Sequence, residues 1–211
     1  MQRRVVAGQE VEAWLDLLAA ETPETGASAA AALVAACGAA LVASVARRTA
    51  RRAPDAAERL DVVAREADEA RSVVLGLADR DAAAYHRTLE AYRLPQDSDE
   101  DRRERLRALQ AALQELLEIQ LDLARRSAYL LGLAEEVTAD ADANAVADGL
   151  GAAAALYAAT LASVANAEVN AFAILDEERR EELRSTCRAL TERAGTILEG
   201  TQARFRERLS E

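Results

Sequence analysis

Apolar residues in this chain recur at helical spacing almost from end to end, and no stretch reads as a strand. Pro23, Pro54 and Pro95 fall between the periodic stretches, where a missing N–H costs least. The pattern predicts helices over about 8–21, 26–50, 55–93, 99–136, 141–172 and 177–208. Ser98 meets Asp101 three positions on, a capping-box start for the fourth helix. Asp176-Glu177-Glu178 places negative charge at the start of the sixth, where the helix dipole favours it. Helices of more than about 30 residues run to roughly 45 Å. That length suits an elongated antiparallel bundle, so the fold class is all-α with about six helices, in one domain over 1–211.

Within the third segment a 3,4-spaced seam runs Leu60, Val63, Ala67, Ala70, Val74, Leu77, Asp81, Ala84, Thr88, and Asp81 is its charged member. Two readings stand side by side. Asp81 sits at a wet helix end or pairs with a buried Arg, or it is a functional carboxylate held in a low-dielectric site.

Two alanine-rich stretches are the other feature of note. The first runs from Gly26 to Val42, and the second from Asp142-Ala143-Asn144 through Asp148 to Asn166 and Asn170. Small side chains let helix backbones approach closely, and polar groups on such a surface require partners. Asn144 and Asp148 share a face, and Asn166 returns to it after five turns, with Asn170 one turn further. The two polar ends lie about 27 Å apart by helix rise, so one ligand does not span them within one subunit. An antiparallel dimer would bring Asn166 and Asn170 of one subunit near Asp148 of the other. Interhelical hydrogen bonds that fix register are the plain alternative.

Composition narrows the partners. A net charge of −11 argues against nucleic-acid binding, which needs a basic surface. Arg47, Arg48, Arg51 and Arg52 nevertheless cluster after the second helix, as a solvated helix end or a grip for a polyanionic tail. The uncharged stretch Ala27–Ala46 is poor in Leu and reads as a buried bundle helix, not a membrane span. Cys37 and Cys187 have no metal-ligand spacing and read as free thiols in a reducing, cytoplasmic setting. The N-terminus does not read as a secretory signal, and His86 flanks the Asp81 seam as a surface residue.

Several motifs, taken in order, resemble the cyclodeaminase/cyclohydrolase family of folate enzymes. Val11-Glu12-Ala13-Trp14-Leu15-Asp16-Leu17-Leu18-Ala19 resembles its first helix, and Pro23 to Thr49 its Pro-Gly-Gly-Gly-Ser turn and Ala/Gly helix. Asp79-Arg80-Asp81-Ala82-Ala83-Ala84-Tyr85, with Arg93-Leu94-Pro95, is similar to Asp-x-Asp-Ala-x-Ala-Phe and Arg-Leu-Pro-Lys. Asn144-Ala145-Val146-Ala147-Asp148 resembles Asn-Ala-x-Ser-Asp, and Asn166-Ala167-Glu168-Val169-Asn170 resembles Asn-Val-x-Ile-Asn. The departures cluster at the pocket: Thr25-Gly26-Ala27-Ser28-Ala29 keeps one glycine, Gln96 replaces the Lys, and Gln120-Leu121 stands where the family has Pro-Leu.

The resemblance implies an all-helical homodimer whose small-molecule substrate is a formimino- or methenyl-tetrahydrofolate, with no tightly bound cofactor, no metal, and neither nucleic acid nor membrane as partner. It implies Asp81 and Asp148 as catalytic carboxylates. Gly26, Ser28, Asn144, Asn166, Asn170 and Arg47 would bind substrate, Arg47 through its glutamate tail. Two alternatives stand beside this: a repurposed enzyme acting on another amidine, imine or cyclisable amine, and a non-catalytic helical dimer.

Overall fold

The computed structural model describes residues 6, 8–20, 26–142 and 144–210. Pro23, Thr25 and Ala143 lie outside the described residues. The helices are α1 (Val11–Ala19), α2 (Ala27–Ala50), α3 (Ala57–Arg93), α4 (Asp99–Asp140), α5 (Val146–Ala171) and α6 (Glu177–Arg208), with a 3-10 turn over Pro54–Ala56. No strand occurs among the described residues.

Local chemistry explains where the helices begin. Ser98 Oγ accepts from the Asp101 N–H at 3.0 Å while Asp101 accepts from the Ser98 N–H at 2.9 Å, closing the capping box of α4. Asp176 caps α6 by accepting from the Arg179 N–H at 3.0 Å. The start of α5 differs from the prediction. Asp142 accepts from the N–H groups of Asn144 and Ala145 at 2.8 and 3.0 Å, a local turn that delays the helix from 141 to Val146.

α2 lies at the centre, packed against α3, α4 and α5. It runs antiparallel to α5, with Ser28 beside Asn166 at one end and Arg48 beside Asp148 at the other. A Cβ added at Gly38 would lie 2.5 Å from Leu156 Cγ, so the two helices meet at a separation that only glycine permits. Most of the α3 seam is buried as its spacing predicts, with Leu60, Val74 and Ala84 fully so, while Ala70 and Asp81 are half-buried. A second apolar cluster, with Leu117, Leu121, Ile174 and Leu183, ties α4 and the end of α5 to α6. Cys187 belongs to it, and burial pushes its thiol up to about 11. Both cysteines are free, and Cys37 is exposed.

α2 and α5 are each long and apolar enough to cross a membrane by length and composition alone. In the fold 61% of the apolar window of α2 is buried, but only 44% of that of α5. The rest of α5 includes the exposed small residues Ala147, Gly151, Ala154, Ala158 and Ala165, beside the half-buried Leu150, Tyr157 and Leu161.

Candidate active site

At the end of the bundle where α2 starts and α5 finishes, a cavity of about 360 Å³ opens between four helices. Gly26, Ala27, Ser28 and Ala29 from α2 form one wall. Ala78, Asp81, Ala82 and Tyr85 from α3 form another, and Leu116 and Gln120 of α4 with Asn166, Val169 and Asn170 of α5 complete it. The small residues are what leave the space, and the polar residues interrupt that lining.

Those polar groups form one connected ring. Gln120 donates through Nε2 to Asp81 Oδ1 at 3.2 Å. The Gln120 carbonyl accepts from Asn170 Nδ2 at 3.0 Å, and the same amide donates to the Asn166 backbone oxygen at 3.0 Å. Asn166 Nδ2 donates to Ser28 Oγ at 3.1 Å, and Ser28 in turn hydrogen-bonds Asp81. Each amide is oriented by its neighbour, so the ring holds Asp81 in one place.

Among the described residues, no cation enters this ring. Burial raises the Asp81 carboxyl above the ordinary range, and the hydrogen bonds from Gln120 and Ser28 only partly oppose that. Ser28, which hydrogen-bonds Asp81, lies in the first turn of α2, where the helix dipole is positive. A half-buried carboxylate with a raised proton affinity, beside open space, is suited to exchange protons with a bound molecule or to face a cationic one.

Of the residues expected at the site, the structure brings together Gly26, Ser28, Asp81, Asn166 and Asn170. It does not bring Asp148, Asn144 or Arg47 to them within this chain. Asp148 pairs with Arg48 at 2.5 Å, and Arg48 also donates to the Asn144 backbone oxygen at 2.9 Å. Arg47 pairs with Asp68, and Arg52 with Asp142, so three of the four clustered arginines are neutralised locally. The pairing of Asp81 with a buried Arg is absent among the described residues, its place taken by Gln120. Sequence reasoning treated Gln120 only as a departure from the family; its polar side chain on the buried Leu113–Leu116–Leu117–Ala124 face of α4 was the available signal. Among the described residues, no three His, Cys, Asp or Glu side chains converge as a metal site would require.

Fold and cavity together define an all-helical protein with a small polar site built around one carboxylate. The model of the formiminotransferase-cyclodeaminase family matches residues 10–189. The chain is 30% identical over 197 residues to a methenyltetrahydrofolate cyclohydrolase of Methylorubrum extorquens, covering 92% of this chain and 95% of that one. Its fold is similar to the crystal structure of a formiminotetrahydrofolate cyclodeaminase from Thermotoga maritima, with a TM-score of 0.77 and 24% identity over 96% of each chain. The chain belongs to the formiminotransferase-cyclodeaminase family.

Proposed function

We propose that this protein is a methenyltetrahydrofolate cyclohydrolase whose reaction is carried by Asp81. The observation that carries the reading is a cation-free carboxylate held by Gln120 and Ser28 in a cavity with open space beside it. The methenyl bridge between N5 and N10 is a delocalised cation, which a carboxylate without its own counter-ion is suited to face. The 30%-identical relative, named for that hydrolysis, supports the choice of substrate.

In the proposed reaction a water oxygen bonds to the bridging carbon while Asp81 takes a proton from that water. The C–N5 bond then breaks as the carbinol O–H gives up its proton and N5 gains one, leaving a formyl group on N10. One water is consumed and one proton released. The carboxamide oxygens of Asn166 and Asn170 accept hydrogen bonds from the pterin, and the α2 turn at Gly26–Ala29 lies along its face. Cyclodeamination of a formimino group is the second reading, favoured by the cyclodeaminase fold match.

The test is the absorbance of the methenyl chromophore. The purified protein is expected to accelerate its loss, and Asp81→Asn to remove most of that acceleration. Well-folded protein that leaves the uncatalysed rate unchanged would overturn the reading.

A further inference from the structure

An amide side chain has a donor end and an acceptor end of nearly the same shape, so a neighbour of fixed polarity decides which way it points. In the Asp81 ring that neighbour is the backbone carbonyl of Asn166, which can only accept. It lies 3.0 Å from the Asn170 amide, so the NH2 end of Asn170 must face it. The same NH2 group lies 3.0 Å from the Gln120 side chain, which must therefore present its carbonyl oxygen there. That leaves the NH2 end of Gln120 to meet Asp81 Oδ1, at 3.2 Å. One backbone carbonyl on α5 thus sets the sense of a relay that crosses α4 and ends on α3.

The relay has no slack. Both N–H groups of Asn170 are engaged, one on Asn166 and one on Gln120. Turning Gln120 round would set its NH2 against that of Asn170 and its oxygen against the Asp81 carboxylate. Gln120 is 4% exposed, so water has little room to relieve such a mismatch. Ser28 behaves differently, because a hydroxyl both donates and accepts. It accepts from Asn166 Nδ2 at 3.1 Å, and its own hydrogen turns to suit Asp81 in either protonation state.

We propose that Gln120 is a positioning residue: held by Asn170 and the Asn166 carbonyl, it keeps Asp81 Oδ1 as an acceptor, so that Oδ2 is the oxygen that takes up and releases a proton. In the hydrolytic reaction Oδ2 then faces the attacking water. That last role rests on the proposed activity, whereas the sense of the relay does not. Gln120 stands where the family pattern has proline, which carries no side-chain amide, so the relay is a feature of this chain's own sequence. Among the described residues that line the cavity from all four helices, Tyr85 is the other titratable side chain, and neither an arginine nor a second carboxylate joins it. The Gln120 donor favours the ionised carboxylate, against burial, which favours the neutral acid.

Infrared spectra of the ligand-free protein across a pH titration test the relay. The Asp81 carboxyl band is the one that Asp81→Asn removes. In the neutral acid the Oδ1 carbonyl still accepts from Gln120, so Gln120→Leu should move that band to higher frequency. It should also raise the titration midpoint by about one pH unit, a tenfold change in proton affinity. Asn170→Leu should raise the midpoint too, because a freed Gln120 can turn its oxygen toward a protonated Asp81. A folded Gln120→Leu protein with band and midpoint unmoved, or an Asn170→Leu protein with the wild-type midpoint, would overturn the relay. Gln120→Glu decides the matter if a leucine variant does not fold, since it keeps the shape and the acceptor for Asn170. It sets carboxyl against carboxyl, so one of the pair should titrate well above the wild-type Asp81 midpoint. Two carboxyls titrating independently, with Asp81 at its wild-type midpoint, would count equally against the relay. Wild-type protein that gives the expected spectra but leaves methenyltetrahydrofolate untouched would instead count against the folate reading.

Discussion

The two ends of the α2–α5 pair carry the same kinds of residue and treat them in opposite ways. At one end Asp148 and Asp142 each have an arginine, and the side chains are a third or more exposed. At the other, Asp81 is partly withdrawn from water and surrounded by amides and a hydroxyl. An exposed ion pair settles a charge at little cost and does little else. A desolvated carboxylate without a counter-ion keeps its charge unsettled, which costs stability and leaves it reactive. The contrast supports the proposal of Asp81 as the functional centre more directly than its place in any motif does.

The largest expected effect comes from removing that unsettled charge. Asp81→Asn should lower methenyl hydrolysis by about 10²–10⁴-fold, the usual contribution of a positioned proton acceptor. The same change should raise the unfolding midpoint at neutral pH. The raised carboxyl binds its proton more tightly folded than unfolded. Wild-type stability therefore falls as pH rises through the interval between the two values, and the loss is complete above it. Wild type and variant should converge in acid, below both values. Thermal melts from acid to neutral pH check this. A variant that is less stable at neutral pH would show that Asp81 is satisfied where it sits.

Gln120 tests whether the ring tunes that carboxylate. Gln120→Leu removes a donor that holds the Asp81 proton affinity down, and it frees Asn170. The limb of the pH–rate profile that reports Asp81 should move to higher pH, with about a tenfold loss of rate at neutral pH. Gln120→Asn, which keeps the amide but shortens its reach, should fall between. An unmoved pH profile with reduced rate would assign Gln120 a packing role only.

How much of this the sequence carries differs between the bundle and the cavity. Helix extents and the α3 seam follow from periodicity, caps and proline placement, because those are local and repeat over many turns. The start of α5 does not, since the Asp142 turn competes with helix over only four residues. At the site, Asp81 stands out as a charge on an apolar seam, and Ser28, Asn166 and Asn170 as polar groups among alanines. Gln120 escapes because its significance lies in reaching two other helices, and partner choice across helices leaves no trace in spacing. For the same reason Arg47 is legible as part of a basic cluster but not as the partner of Asp68 on α3. The grouping of Asp148 with Asp81 comes from motif resemblance, and the 27 Å rise along α5 is what places them at opposite ends of one chain.

The smallest expected effect lies at the paired end, on a contact outside the cavity. Arg52 is 62% exposed and its partner Asp142 is 33% exposed, so water competes for both charges. Asp142 also accepts from the Asn144 and Ala145 N–H groups, which hold it in place without the arginine. Arg52→Gln should cost less than about 1 kcal/mol in urea unfolding, and that cost should shrink further at high salt. Asp142→Ala should cost more than Arg52→Gln, because it also strips the turn that starts α5. If Arg52→Gln proved as damaging as Asp142→Ala, the charge pair and not the turn would be holding this end. The paired carboxylates would then be structural in a way that Asp81 is not.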